Sequence, residues 1–133
     1  GLADALFDAF AEPRRWRVLP GAAAAVRLVA GRGLPAAVVS NFDCRLAPLL
    51  AGLGLGPFTA VVVSSAVGAA KPDPAPLFAA ARSLDVPSDA ILHVGDSASE
   101  DGGMCRQAGC RWLPVDPAVG VDCAMLAGII GGT

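Results

Sequence analysis

Four short stretches of this 133-residue chain carry side chains able to act on a charged substrate. They are Ser40-Asn41 in VVSN, Lys71 in KPDP, Gly95-Asp96 in HVGDSASED, and Asp101 at the end of that last stretch. Two carboxylates held near one another cost energy unless a cation lies between them. Asp96 stands just past an apolar run and follows a glycine, which lets backbone approach closely, so it is placed as an oxygen ligand for a hard cation such as Mg²⁺. Asp101 falls where the next helix should begin. It has three uses there: capping that helix, holding a metal-bound water, or orienting a lysine ammonium. Ser40 and Asn41 offer a hydroxyl and backbone N–H groups of the kind that grip a phosphate oxygen, and Lys71 offers a point charge for a phosphoryl group. Each stretch alone is also what an ordinary turn, helix cap or solvated loop looks like. Together they describe a metal-assisted phosphoryl-binding site.

The chain holds one lysine against nine arginines, so a background that writes its cations as arginine keeps a compact ammonium at position 71. The one histidine, His93, lies inside an apolar run beside the glycine turn and reads as a core histidine rather than as the partner of a nucleophile. Cys44, Cys105, Cys110 and Cys123 form no CxxC pair, which predicts free, mostly buried thiols and no structural zinc.

Something must deliver these residues to one place. Residues 36–40, 59–64, 90–94 and 111–115 read as short apolar strands of the fully buried type. Helical patterns fall at 2–10, 21–30, 43–52, 75–84 and 101–108, the last closed by Gly109, and the tail from 119 to 133 reads as a weak last helix or a frayed end. Strands alternating with helices predict an α/β, doubly wound parallel sheet covered by helices on both faces. Ligands of such sheets sit beyond the carboxyl ends of the strands, which is where Ser40-Asn41, the loop to Lys71 and Gly95-Asp96 fall.

An apolar fraction of 54% and a mean hydropathy of +0.57 are ample for a buried core. A net charge of -2 and a pI near 5.1 leave no electrostatic footprint for nucleic acid or an anionic membrane surface. No apolar stretch approaches the roughly 20 residues that span a bilayer, and no basic-then-apolar signal opens the chain. The expectation is a soluble, cytoplasmic protein, with no signal for an oligomeric state.

VVSN (38–41), KPDP (71–74) and HVGDSASEDGGMCRQAG (93–109) resemble the second, third and fourth motifs of the haloacid dehalogenase superfamily, in the expected order and spacing. The resemblance covers residues 5–117. It implies that Ser40 binds the transferred phosphoryl oxygen with help from the Asn41 backbone, and that Lys71 neutralises the phosphoryl group and an aspartyl intermediate. It implies further that Asp96 ligates Mg²⁺, that Asp101 supports the metal shell and Lys71, and that the substrate is a small phosphorylated metabolite. By the same resemblance, residues 1–17 are the remnant of a helical cap and hinge, and residues 18–133 are the carboxyl-terminal part of the core. Trp16 and Arg17 fall at that hinge, with plain packing as the simpler reading of Trp16.

The superfamily's reaction uses an aspartate nucleophile in a DxD motif on a central first strand. No DxD occurs in this chain. The nearest candidate is Asp8 in ALFDAFAEP, a stretch of helical period that matches the end of the cap better. The sheet is therefore expected to be incomplete, its central first strand missing from between the strands ending at Ser40 and Val94. Each buried amide left unpaired costs roughly 1–3 kcal/mol against a net stability of about 5–15 kcal/mol. The chain alone is expected to be marginal or aggregation-prone unless the two inner edges close on each other or a partner supplies a strand. A cooperative, high-temperature melt of the isolated monomer would contradict this.

Readings from two classes stay open at this point. One is enzymatic: part of a Mg²⁺-dependent phosphatase-type hydrolase working through an aspartyl-phosphate, inactive as this chain alone. The other is non-catalytic: a truncated isoform or pseudoenzyme that binds phosphate or a partner. A dehalogenase using Asp8 ranks behind both.

Overall fold

The computed structural model describes residues 21–130. The helix expected at 2–10, Asp8 and the hinge at Trp16-Arg17 lie outside the described residues.

Ten regular elements follow in order: α1 (Ala22–Gly31), β1 (Ala37–Ser40), α2 (Leu46–Gly52), β2 (Ala60–Val63), α3 (Ser64–Val67), α4 (Ala75–Leu84), β3 (Leu92–Gly95), α5 (Gly103–Ala108), β4 (Arg111–Pro114) and α6 (Cys123–Ile130). The first two strands, AVVS and AVVV, are rich in valine, whose branched side chain suits a pleated, packed surface. β1 pairs in parallel with β2, Val38 opposite Val61 and Ser40 opposite Val63. β3 pairs in parallel with β4, His93 opposite Trp112 and Gly95 opposite Pro114.

Alternation along the strands decides which helix covers which face. Val38, Val61 and Val63 point to one side, where they pack with Phe42, Leu46 and Leu49. Val39 points to the other side and packs, with Ile91 and Trp112, against Leu77 of α4 and Met104, Cys105 and Ala108 of α5. Leu77 and Met104 are fully buried. Helices thus lie on both faces of parallel strands, as the doubly wound reading predicts. α1 and α6 pack against each other away from that centre, where the Cys123 thiol donates to the Gly21 carbonyl at 3.4 Å.

The sheet is interrupted where the central first strand was expected to be missing. The four strands form two separate parallel pairs, and among the described residues no ladder joins β1 to β3. The edges left by the expected gap therefore do not close on one another. Val39 of β1 nonetheless shares its cluster with Ile91, next to β3, so a single apolar layer beneath holds the two pairs together. Both inner strands are half-covered rather than buried, and Val94 is 36% exposed.

The differences from the expected elements are local. Strand β2 stops at Val63 because Ser64 begins the short helix α3, its hydroxyl bonding the Phe42 carbonyl at 3.1 Å, and Gly68 ends that helix at φ 83°. Strand β3 starts at Leu92, since Ser88–Ala90 form a 3-10 turn. The tail is a helix whose first turn is capped by Asp122, which accepts the Met125 N–H at 3.0 Å, and its Leu126 is buried. All four cysteines are free: Cys105 is buried, Cys110 and Cys123 are half-buried, and Cys44 is exposed. Burial and then the neighbouring Cys110 push the Cys105 thiol up to about 12, which leaves it inert as a nucleophile. No helix among the described residues is long and apolar enough to cross a membrane.

Candidate functional site

Residues just past the carboxyl ends of β1 and β3 are bonded to one another and to the Lys71 loop, which brings all three together. Asn41, one residue past β1, secures that loop with its side chain. Its Oδ1 accepts the Lys71 N–H at 2.9 Å, and its Nδ2 donates to the Lys71 carbonyl and to Glu100 Oε2, each at 3.3 Å. The loop then enters α4, whose second residue is Pro76, where a missing N–H costs nothing in the first turn, and Asp73 Oδ1 accepts the Ala75 N–H at 2.8 Å.

The Lys71 side chain is 12% exposed and its ammonium lies 2.7 Å from Asp101 Oδ1. Asp101 is 4% exposed, and its carboxylate is surrounded by donors. The same Oδ1 lies 2.7 Å from His93 Nε2, and Oδ2 accepts the Ser97 N–H at 3.0 Å. Burial alone would raise its pKa. The bonds from His93, Lys71 and Ser97 outweigh burial and hold the carboxyl well below the usual carboxylate range. Asp101 is therefore ionised throughout the neutral range.

Close approach makes this possible. A Cβ on Gly95 would stand 2.3 Å from Asp101 Cγ, so the strand end must be bare for the carboxylate to lie against it. Asp101 belongs to a π-helical turn, Ala98–Gly102, whose cap is Ser97, with Oγ accepting the Glu100 N–H at 3.0 Å. Of its three expected uses, the structure shows the pairing with the lysine ammonium, while the helix cap falls to Ser97. Helix α5 accordingly starts at Gly103 rather than at 101.

Asn41, Lys71 and Asp101 are thus joined in one bonded network. Ser40 and Asp96 flank it without joining it. Ser40 is half-buried at the tip of β1, and Asp96 is exposed just past β3; among the described residues neither side chain has a bonding partner. No group of three or more His, Cys, Asp or Glu side chains able to hold a metal occurs among the described residues. A shallow depression of about 530 Å³ lined by Phe78, Arg82, Asp85 and Ser88 lies at the far end of α4 and includes none of these residues.

Two participants were not read from the sequence as site residues. Glu100 reaches Asn41, and nothing in its position beside Asp101 announces that. His93 had a legible signal: it precedes Gly95 by two positions on a strand, so it shares the face against which Asp101 packs. The bond to Asp101 gives the expected core histidine a partner that its apolar neighbours did not suggest.

A family model for haloacid dehalogenase-like hydrolases matches residues 2–109. Haloacid dehalogenase-like hydrolase domain-containing protein 3 of Bos taurus is 40% identical over 125 residues, 89% of this chain and 50% of that protein. Phosphoglycolate phosphatase of Pectobacterium atrosepticum is 40% identical over 85 residues, 62% of this chain and 36% of that protein. The crystal structure of a HAD phosphatase from Thermococcus onnurineus superposes with a TM-score of 0.76 at 19% identity, over 99% of this chain and 65% of that chain, a likeness of fold. This chain belongs to the haloacid dehalogenase-like hydrolase family, with the Rossmann-like fold of its structural neighbours. It spans about half the length of the curated relatives it matches.

Proposed function

We propose that this chain forms the phosphate-gripping part of a Mg²⁺-dependent phosphomonoesterase, and that by itself it binds phosphate without turning it over. The observation that carries this reading is the chain's one lysine, fixed at 2.7 Å against a buried carboxylate between the tips of β1 and β3. An ammonium has three donors. With one on Asp101, Lys71 keeps two for phosphoryl oxygens. Ser40 contributes its unengaged hydroxyl, and Asn41 its backbone N–H, while the Asn41 side chain holds the Lys71 loop in place.

Asp96 fits a divalent cation on chemical grounds. Mg²⁺ takes one or two carboxylates and fills its shell with waters and phosphate oxygens, and Asp96 offers an exposed carboxylate with no protein donor upon it. When bound there, the ion supplies charge neutralisation for the phosphoryl group. Asp101 does not fit as a ligand, since donors engage both its oxygens, and it acts through Lys71. Relatives named phosphoglycolate phosphatase support a small phosphomonoester as the ligand class. The acidic composition, with no basic patch for nucleic acid, supports a free metabolite of the cytoplasm. The absence of a DxD sequence from the chain supports binding without turnover.

The test is hydrolysis of a generic phosphomonoester by the purified chain with Mg²⁺, alongside Asp8→Asn, together with binding of inorganic phosphate. We expect no turnover from either chain, and phosphate affinity reduced about tenfold or more in Lys71→Ala. Turnover that disappears in Asp8→Asn would overturn the non-catalytic part and make Asp8 the nucleophile of a complete small enzyme. A folded chain that ignores phosphate would overturn the rest.

A further inference from the structure

Asp101 Oδ1 is shared. Lys71 Nζ and His93 Nε2 both approach it at 2.7 Å, from a loop and from strand β3. An ionised carboxylate only accepts, so Nε2 must carry the hydrogen, and a neutral imidazole in that tautomer already satisfies the contact. His93 is 10% exposed, and among the described residues Asp101 is the one side chain bonded to its Nε2.

The geometry points to His93 as a positioning residue for Lys71: its Nε2–H fixes the Asp101 carboxylate, and the carboxylate fixes the ammonium. The terminal torsion of an aspartate is broad, so a carboxylate turns readily unless its oxygens are pinned. Ser97 pins Oδ2 from within the same turn, and Gly95 offers a bare surface with no bond to give. Without His93, Oδ1 is held only by the flexible lysine that it is supposed to position. With His93, a rigid ring on a strand sets Oδ1, and the lysine takes its place from that. His93 and Gly95, two positions apart on one strand face, thus make the two walls of the seat in which Asp101 lies.

This inference rests on the reading of Lys71 as the phosphate-binding ammonium, and a second signal keeps the two separable. Because the chain has one lysine, selective ¹⁵N-lysine labelling gives a single ammonium resonance. His93→Phe keeps a ring of similar shape and removes the donor; His93→Gln keeps an N–H where Nε2 stood. In the intact chain the ammonium should be bonded and slow to exchange. His93→Gln should preserve that signal and hold phosphate affinity within about twofold, whereas His93→Phe should lose the signal and weaken phosphate binding about tenfold. If His93→Phe keeps the wild-type signal, or if both variants lose it equally, the positioning role is overturned and His93 is mere packing. Should His93→Phe fail to fold, His93→Gln decides alone: a retained signal supports the role and a lost one refutes it. A wild-type chain that shows the bonded ammonium but binds no phosphate sinks the phosphate reading and leaves the positioning inference standing on the variants' lysine signals.

Discussion

Asp101→Ala should lower the unfolding free energy by about 3–5 kcal/mol, the usual result of removing one partner from a buried ion pair. The mechanism is specific to this seat. Lys71 loses its counter-charge at 12% exposure, His93 loses its acceptor, and the Ser97 N–H loses Oδ2. Asp101→Asn should cost less, because an amide oxygen still accepts one bond while the charge is gone.

The same carboxylate sets a pH dependence whose sign follows from its pKa. The folded value lies below the ordinary aspartate value of about 3.9, so its contribution is complete above that pH. As pH falls further, the unfolded chain takes up the proton first, and the contribution is lost progressively toward the folded value. Urea melts between pH 6 and pH 3 check both statements. The wild type should lose stability through this range more steeply than Asp101→Asn. Equal midpoints for wild type and Asp101→Ala at pH 6 would refute the account.

The second large effect is at Gly95. Its added methyl in Gly95→Ala would meet Asp101 Cγ at 2.3 Å and the two carboxylate oxygens at 2.5 and 2.7 Å. The carboxylate has little room to retreat, because the turn that carries it is packed from behind. A Cβ at Gly102 would stand 3.0 Å from the Trp112 ring, and one at Gly103 would stand 2.9 Å from Pro72 Cβ. Gly95→Ala should therefore cost about 2 kcal/mol by overpacking and release Lys71 as well. In an Asp101→Ala background the obstructing atoms are absent, and the same change should cost less than about 0.5 kcal/mol. A double-mutant cycle by urea denaturation measures the difference, and additive costs would mean that the clash lies elsewhere.

Much of this site was legible before any coordinates. Ser40-Asn41 and Asp96 each follow an apolar strand, with Lys71 on the loop after another, which is enough to bring them to one end of a parallel sheet. The solitary lysine marked its own position. What the sequence left open was the bonding inside the cluster. Asp101 offered three uses, and it takes the cap at Ser97 to remove one of them. His93 looked like core because its neighbours are apolar, and strand parity, which sets it beside Gly95, went unused. Strand existence was clear, but strand ends slipped by one to two residues where Ser64 begins a helix and residues 88–90 make a turn. The separation into two pairs falls where the missing DxD strand placed it, between the strands ending at Ser40 and Gly95.

That separation bears on the order in which the molecule is assembled. Val38 meets Val61, and His93 meets Trp112, so each pair closes over one short crossover. Contacts of such short range form early, because little chain entropy must be given up to bring them together. During synthesis, the half that carries Ser40 and Asn41 would consolidate before the half that carries Asp96 and Asp101 has left the ribosome. The bonds that join the halves run from Asn41 to Lys71 and from Lys71 to Asp101, 30 positions apart in each case, and from Asn41 to Glu100, 59 positions apart. The phosphate-binding geometry is then the seam where two folding units meet, and it is the last part of the chain to acquire its shape.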